Sequence, residues 1–274
     1  MATSPFPNFD PNAFRAILRG RVKWIVLAAS VVGLFFLVSF LKSVYADLLW
    51  FNELGYMGVY QKVIVSKVAL FIVGASIAGI VSAINLYFAQ KATGGSRNFP
   101  TDGLGSIARP LILSGTIITV LVISLIFGVL LSTHWELFLR FTNSTSFGIF
   151  DSVYNKDVAF YIFELPLYSV IRSWLLVLSV VSLVSVGVLA FVNFTARGER
   201  FVIHSSLKIQ MILVGSVVVL IATAGQVIGM YHLVHSDNGV VFGATYADIN
   251  AKKMAYLVTA VLGVLVAIVM VVGA

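Results

Sequence analysis

Residues 174–194 read WLLVLSVVSLVSVGVLAFVNF, an apolar run without a single acidic or basic side chain. A helix of about 20 residues is about 30 Å long, which matches the hydrocarbon core of a bilayer. The run therefore predicts a membrane-spanning helix. It is also representative of the chain, because five further runs of similar length share its apolar character.

The composition of the whole chain agrees with this prediction. Of its 274 residues, 59% are hydrophobic and 11% are charged, whereas soluble domains average about 45–50% apolar and about 25% charged residues. We expect an all-α fold, a polytopic transmembrane helix bundle with about six spans and interfacial helices in the outer loops. Pro110 can occupy the first turn of its helix, where no backbone donor is lost. The spans are predicted at residues 24–41, 63–88, 110–132, 174–194, 209–230 and 254–273.

The distribution of charge predicts how the bundle is oriented. Lys and Arg are concentrated in three segments on one side of the predicted spans, and cytoplasmic loops carry an excess of these residues. The chain divides into a basic cytoplasmic arm, residues 1–23, and a transmembrane bundle, residues 24–274. The separation is incomplete, because several basic residues, among them Lys42 and Arg172, fall on the opposite side. The orienting residues are Arg15, Arg19, Arg21, Lys23, Lys91, Arg97, Arg109, Arg197, Arg200 and Lys208.

The same charges limit the partners of the protein. Its formal net charge is +7, but a nucleic-acid partner would require basic residues clustered on a folded surface, and here they adjoin apolar spans. We therefore expect a multi-pass cell-membrane protein that contacts the lipid bilayer and other membrane or extracytoplasmic proteins, with no nucleic acid. The chain contains no cysteine, which excludes disulfides, thiolate metal sites and a cysteine nucleophile.

The two ends of the chain carry separate signals. Basic residues precede the first apolar run and the sequence VYA follows it at 44–46, an arrangement that also occurs in secretory signals. The run is longer than the usual 7–15 or so residues of a signal and Lys42 follows it, so we expect the run to stay attached. The last run ends at Ala274 without the basic or aromatic anchors of an ordinary helix end. We expect this chain to be the front part of a longer protein.

Three loops on the predicted outer side carry distinctive motifs: DLLWFNELGY at 47–56, DVAFYIFELP at 157–166 and FGATYAD at 242–248. In order and in placement between spans, these motifs resemble the uncharacterised protein family 0182, a group of large bacterial multi-pass membrane proteins. The resemblance implies about seven spans followed by a large extracytoplasmic domain, without an established activity. The residues that carry it are Trp50, Phe51, Gly55, Tyr56, Asp157, Phe160, Tyr161, Pro166, Gly243, Tyr246 and Asp248.

No pattern of a known catalytic or cofactor site accompanies these motifs. Nucleotide-binding Gly-rich loops and nucleophile elbows are absent from the sequence. His232 and His235 are three residues apart with Asp237 nearby, but two imidazoles and a carboxylate need precise second-shell support to hold a metal. Asp157 and Asp248 are interpreted as helix caps. We accordingly predict no catalytic residue, no cofactor and no metal site.

Features of the spans favour packing over transport. None of the six predicted spans has an ionisable residue at its middle, and Lys67, the nearest, is long enough to snorkel to the outer interface. Gly225 and Gly229 form a small-x-x-x-small pair that allows close helix approach, as do Ala75 and Gly79.

Three functional hypotheses remain. The first is a structural or assembly role, in which outer loops form a cap and the bundle anchors an extracytoplasmic domain. The second is a transporter or channel with polar residues lining a path between helices, namely Gln226, Ser182 and Ser185. The third is a membrane-embedded enzyme acting on lipid or glycan at the outer interface through convergent carboxylates, the candidates being Asp151, Asp157, Glu164 and Asp248.

Overall fold

A computed structural model describes residues 11–93, 104–197, 205–236 and 242–274, and these residues are almost entirely helical. A π-helical turn, Phe160–Glu164, precedes α5, and another, Asp248–Lys252, precedes α7. A short 3₁₀ turn, Leu233–His235, follows α6. The helices are α1 (Pro11–Glu53), α2 (Met57–Ala92), α3 (Leu104–Ser132), α4 (Trp135–Thr142), α5 (Leu165–Arg197), α6 (Ser205–His232) and α7 (Lys253–Val272).

The predicted fold class is confirmed, because the described helices include five that are long and apolar enough to cross a membrane. These five correspond to the second to sixth predicted spans, the last of which was predicted to run one residue beyond the end of its helix. The first predicted span, residues 24–41, lies within α1. The structure describes only some of the side chains of this span. The five helices are Met57–Ala92, Arg109–Ser132, Phe160–Ala196, Ser205–His235 and Asp248–Val272.

The placement of Pro110 differs from the prediction. Instead of occupying the first turn, Pro110 lies inside α3, which begins at Leu104. Proline cannot donate the hydrogen bond that an interior helical residue makes to the carbonyl four residues earlier. The helix therefore lacks one bond in its second turn, while Ser114 donates its hydroxyl to the Pro110 carbonyl at 2.9 Å.

The chain divides into two compact units, which are described separately. The first comprises Met1–Val65 and Pro100–Ile107, and its described part holds the first motif. There Gly55 has a φ of +75°, a conformation that favours glycine, and it ends α1 in a tight turn. The Tyr60 hydroxyl donates to the Val44 carbonyl at 2.9 Å, and its ring packs on Phe51 with centroids 5.3 Å apart. The motif thus fixes the α1–α2 corner.

The second unit, Ser66–Phe99 and Ala108–Ala274, has its core between α2, α3, α5 and α6. One cluster joins Ala78 of α2 to Leu178 of α5, and a second joins Leu86 to Val186 farther along the same two helices. Helices α2 and α5 therefore run parallel although they are far apart in sequence. Between these levels, Ser82 and Ser182 are buried at 1% and 2% exposure.

Small residues let α2 and α3 approach closely. A side chain at Gly128 would meet Ala75 and Phe71 at 2.9 Å, and one at Gly74 would meet Leu131 at 3.0 Å. The Ser124 hydroxyl donates to the Ala75 carbonyl at 2.6 Å. The small-residue pair Ala75 and Gly79, which was predicted to allow close helix approach, therefore lies against α3.

Candidate functional site

Residues 143–159, here called the aspartate loop, connect α4 to the π-helical turn before α5. The loop reverses at Asn155, whose φ is +53°, and Asp151 holds this reversal together. Each of the two oxygens of the Asp151 carboxylate accepts two hydrogen bonds. The donors, at 2.7–3.0 Å, are the main-chain N–H groups of Val153, Tyr154 and Lys156 and the hydroxyl of Tyr161.

Asp157 binds the other half of the aspartate loop in the same way. Each of its carboxylate oxygens accepts two hydrogen bonds, and an ionised carboxylate has about four lone-pair sites to offer. The donors are the hydroxyl of Ser146 and the main-chain N–H groups of Phe147, Gly148 and Ala159. The bond to Ala159, at 2.8 Å, also caps the helical segment that follows, as the sequence predicted.

These hydrogen bonds set the acidity of both carboxyl groups. The Ser146 hydroxyl and the Ala159 N–H lower the pKa of Asp157 to about 2, with smaller effects of the other two amides. For Asp151, partial burial raises the pKa, but the Tyr161 hydroxyl and the backbone amides outweigh it, so that its pKa lies below the ordinary value. Both groups are therefore ionised at neutral pH, in the state that accepts hydrogen bonds.

Aromatic contacts dock the aspartate loop on α6. The Tyr154 hydroxyl donates to the Met230 carbonyl at 2.8 Å, and its ring lies 5.0 Å from that of Tyr231. Phe160 contacts Tyr231 edge-to-face at 5.1 Å. The Lys253 ammonium, at the start of α7, lies 4.9 Å from the centre of the Tyr154 ring. Burial raises the pKa of the Tyr154 hydroxyl, with contributions from Tyr231 and Asp151, and keeps it a donor.

The two histidines near the end of α6, His232 and His235, are within hydrogen-bond distance of each other. His232 Nδ1 and His235 Nε2 are 3.3 Å apart, and His232 Nε2 is 3.0 Å from the Ser169 hydroxyl. His235 also packs edge-on against Tyr161 at 5.6 Å. Both nitrogens of His232 are thus engaged. The described residues contain no group of three or more His, Cys, Asp or Glu side chains that could hold a metal, and Asp237 lies outside those residues.

Asp248 is completely buried, in the segment that begins the last helix. It accepts the Thr245 N–H at 2.9 Å and the Thr245 hydroxyl at 2.8 Å, while its own N–H points back to that hydroxyl at 3.3 Å. This reciprocal pair is a capping box, so the N-cap is Thr245, and Asp248 acts from the third helical position. Ser236 also donates to Asp248, and Lys252 forms an ion pair with it at 2.6 Å.

Arg172 places a charge against the fifth predicted span, although no predicted span has an ionisable residue at its own middle. It lies in α5, and its guanidinium donates to the carbonyls of Ile221 and Ala222 at 3.2 and 3.3 Å. Those carbonyls belong to the middle of the fifth predicted span, residues 209–230. Gly225 makes room for the guanidinium, because a side chain there would overlap it. Gly229 similarly faces Tyr256 of α7, so both glycines serve packing.

The remaining motif residues lie at corners and surfaces. Pro166 occupies the first turn of α5, just after the π-helical turn. Gly243 has a φ of +108°. In the second unit Tyr246 is 83% exposed, and in the first unit Trp50 and Tyr56 are 60% and 61% exposed. The Lys67 ammonium lies over the Trp135 ring at the start of α4, consistent with snorkelling.

Sequence comparison places this architecture among known proteins. A model of the uncharacterised protein family UPF0182 matches residues 24–274. The chain belongs to this family. A UPF0182 protein of Corynebacterium jeikeium is 28% identical over 96% of this chain and 26% of its own length. A UPF0182 protein of Trichodesmium erythraeum is 30% identical over 90% of this chain and 28% of its own length.

The UPF0182 chain thus spans about a quarter of the length of these curated relatives. A similar share holds for a relative from Clostridium novyi, 28% identical over 87% of this chain and 29% of its own length. No solved structure matches the chain. The family assignment predicted from the three motifs is confirmed, whereas the role of individual motif residues stays a prediction.

The geometry has a clear chemical consequence for this UPF0182 chain. Asp151 and Asp157 use both of their oxygens to bind their own loop, and Asp248 is enclosed by its cap and by Lys252. Glu164 accepts the Tyr168 hydroxyl at 3.1 Å. Sequence reasoning missed two donors to these carboxylates, Ser146 and Thr245. It also missed the contact of Arg172 with α6. Only Thr245 left a recognisable signal, since Thr-x-x-Asp before an apolar run is a capping-box pattern.

Proposed function

We propose that this chain is a multi-pass cell-membrane protein with a cytoplasmic N-terminus, whose outward loops form a rigid cap in a structural or assembly role. In the longer protein the bundle anchors an extracytoplasmic domain. The observation that supports this proposal is the use of the loop carboxylates. Asp151 and Asp157 together accept seven hydrogen bonds from their own loop and an eighth from the Tyr161 hydroxyl, which leaves them no free lone pair for a substrate.

An enzyme that used Asp151 or Asp157 in acid–base catalysis would need a carboxyl group that gains and loses a proton near neutral pH. A general base must accept a proton and a general acid must carry one near working pH, whereas the pKa of Asp157 is lowered to about 2. Withdrawing either carboxylate would release several main-chain N–H groups of the aspartate loop. Rigid loops held in this way suit a surface on which another domain or protein rests.

Two of the polar residues of the transport hypothesis, Ser182 and Ser185, are enclosed or already hydrogen-bonded. Ser182 of α5 is 2% exposed. Ser185 donates its hydroxyl to the Val181 carbonyl at 2.7 Å and borders a cavity lined mainly by apolar side chains. These positions favour helix packing over a hydrated path.

The anchor proposal is tested with Asp157→Ala and Asp157→Asn, each compared with Glu136→Gln. Glu136 is an exposed carboxylate that pairs with Arg140 on the same helix, so it controls for loss of charge. We expect both Asp157 variants to lower the yield of monodisperse protein extracted from membranes, Ala more than Asn, and Glu136→Gln to leave it unchanged. Full yield of the Asp157 variants, combined with loss of a solute flux in liposomes or of an enzymatic turnover, would refute the proposal.

The orientation is tested with single cysteines, because the chain has none of its own. Ser152→Cys, on an exposed residue of the aspartate loop, should react with a membrane-impermeant maleimide in intact cells. A cysteine in place of Ser4 of the basic arm should react only after lysis. The opposite pattern would reverse the proposed topology.

A further inference from the structure

A cavity of about 560 Å³ lies between the end of α2 and the beginning of α6. This volume falls within the range of roughly 300–1,000 Å³ that is usual for small-molecule sites. The cavity belongs entirely to the second unit and is separate from the aspartate loop. Its lining includes Asn85, Phe88 and Lys91 of α2 and Ser206, Gln210 and Leu213 of α6.

The lining changes from charged to apolar along the helices. Lys91 and Ser206 lie at the helix ends, both exposed, whereas Phe88 and Leu213 lie deeper along the spans and are 51% and 44% exposed. Between these levels, Gln210 donates its amide to the Asn85 carbonyl at 2.7 Å, which fixes one wall of the cavity. A ligand seated here meets a cation at one end and hydrocarbon at the other.

No acidic residue of the two helix segments that line the cavity offsets the positive charge of Lys91 at its mouth. Residues 85–93 and 205–214 contain Lys91 and Lys208 and no Asp or Glu. The first N–H groups of a helix point out of its N-terminus and favour an anion there, and Ser206 belongs to that first turn of α6. These features add to the attraction of Lys91 for a phosphate.

We propose that this cavity binds one anionic phospholipid, with the headgroup phosphate at Lys91 and Ser206 and an acyl chain along Phe88 and Leu213. A lipid fits better than a free anion because most of the lining is apolar, and an inorganic phosphate would leave that part unfilled. Its position at helix ends beside predicted short loops is the depth at which headgroups lie.

The proposal is tested by native mass spectrometry of the detergent-purified chain, titrated with phosphatidylglycerol or phosphatidylcholine. We expect one phosphatidylglycerol to bind in preference to phosphatidylcholine. Lys91→Gln should weaken this binding about fivefold, since a basic residue near an anionic headgroup contributes about 1 kcal/mol. Lys208→Gln is the matched control, because Lys208 lies two residues from Ser206 at the start of α6 but does not line the cavity.

A second pair of variants examines the acyl chain. Leu213→Trp fills the deep part of the cavity and should reduce phosphatidylglycerol binding, whereas Val217→Trp should not, because Val217 has a similar exposure of 45% and lies outside the cavity lining. Equal losses in Lys91→Gln and Lys208→Gln, equal binding of the two lipids, or no effect of Leu213→Trp would each overturn the proposal. So would displacement of the lipid by millimolar inorganic phosphate.

Discussion

Replacing Gly225 by alanine tests the contact between Arg172 and α6. A methyl group at this position would overlap the Nη2, Cζ and Nε atoms of the guanidinium, so the arginine would have to leave. It would then lose its bonds to the carbonyls of Ile221 and Ala222. Side-chain hydrogen bonds between membrane helices contribute on average about 0.6 and at most about 1.7 kcal/mol each, so the two bonds represent about 1–3 kcal/mol.

The matched control is Gly187→Ala. Gly187 is also helical, but a side chain there would meet nothing within 4 Å, so this variant measures the gain in helix propensity from alanine alone, up to about 1 kcal/mol. The free energy of unfolding is measured by titration with dodecyl sulfate in mixed micelles, followed by tryptophan fluorescence. We expect Gly225→Ala to be less stable than Gly187→Ala by about 1–3 kcal/mol.

A double-mutant cycle isolates the responsible contact. In an Arg172→Met background the guanidinium is gone, so Gly225→Ala should cost much less than it does in the wild-type chain. If Gly225→Ala proved as stable as Gly187→Ala, or if its cost were the same with and without Arg172, the described contact would not exist.

Three further predictions concern the aspartate loop and the residues packed against it. The pKa of Asp157 falls from 3.8 to about 2 on folding, so its stabilising effect is complete above about pH 4 and is lost as the pH falls through about 2; proteolysis of the loop should rise only in that window, and a rise near pH 6 would contradict this. Tyr154→Phe removes a hydrogen bond to α6 and should lower the unfolding free energy by about 1 kcal/mol, whereas Tyr246→Phe, on an 83% exposed residue, should not. Zinc should show no specific binding in calorimetry, because His232 is engaged by His235 and a serine; a stoichiometric signal lost in His232→Ala would prove this wrong.

Hydrophobicity was sufficient to predict the helices but not all of their boundaries. The helices begin several residues before the apolar runs do. Helix α5 begins at Leu165 and α2 at Met57, whereas the runs begin at 174 and 63. Pro110 marks a similar limit. Proline is tolerated inside a membrane helix when neighbouring groups satisfy the backbone, so its presence did not fix where α3 begins.

The role of Arg172 could not be predicted from sequence because it depends on a neighbour about 50 residues away. A window of hydropathy treats arginine as the edge of a span, whereas in the folded chain its carbonyl partners lie well within α6. The reverse applies to the aspartates. Their proximity to turn residues was visible in the sequence, but the number of amides that each carboxylate accepts followed only from the loop conformation.

The parallel contact between α2 and α5 affects the order of events during synthesis. The face of α2 that carries Ala78, Ser82 and Leu86 is covered by a helix made about 100 residues later. At a synthesis rate of about 5–20 residues per second, this face and its serine hydroxyl are left uncovered by α5 for about 5–20 seconds after they leave the ribosome. A nascent chain stopped before α5 should therefore be the form that insertion chaperones or membrane proteases recognise.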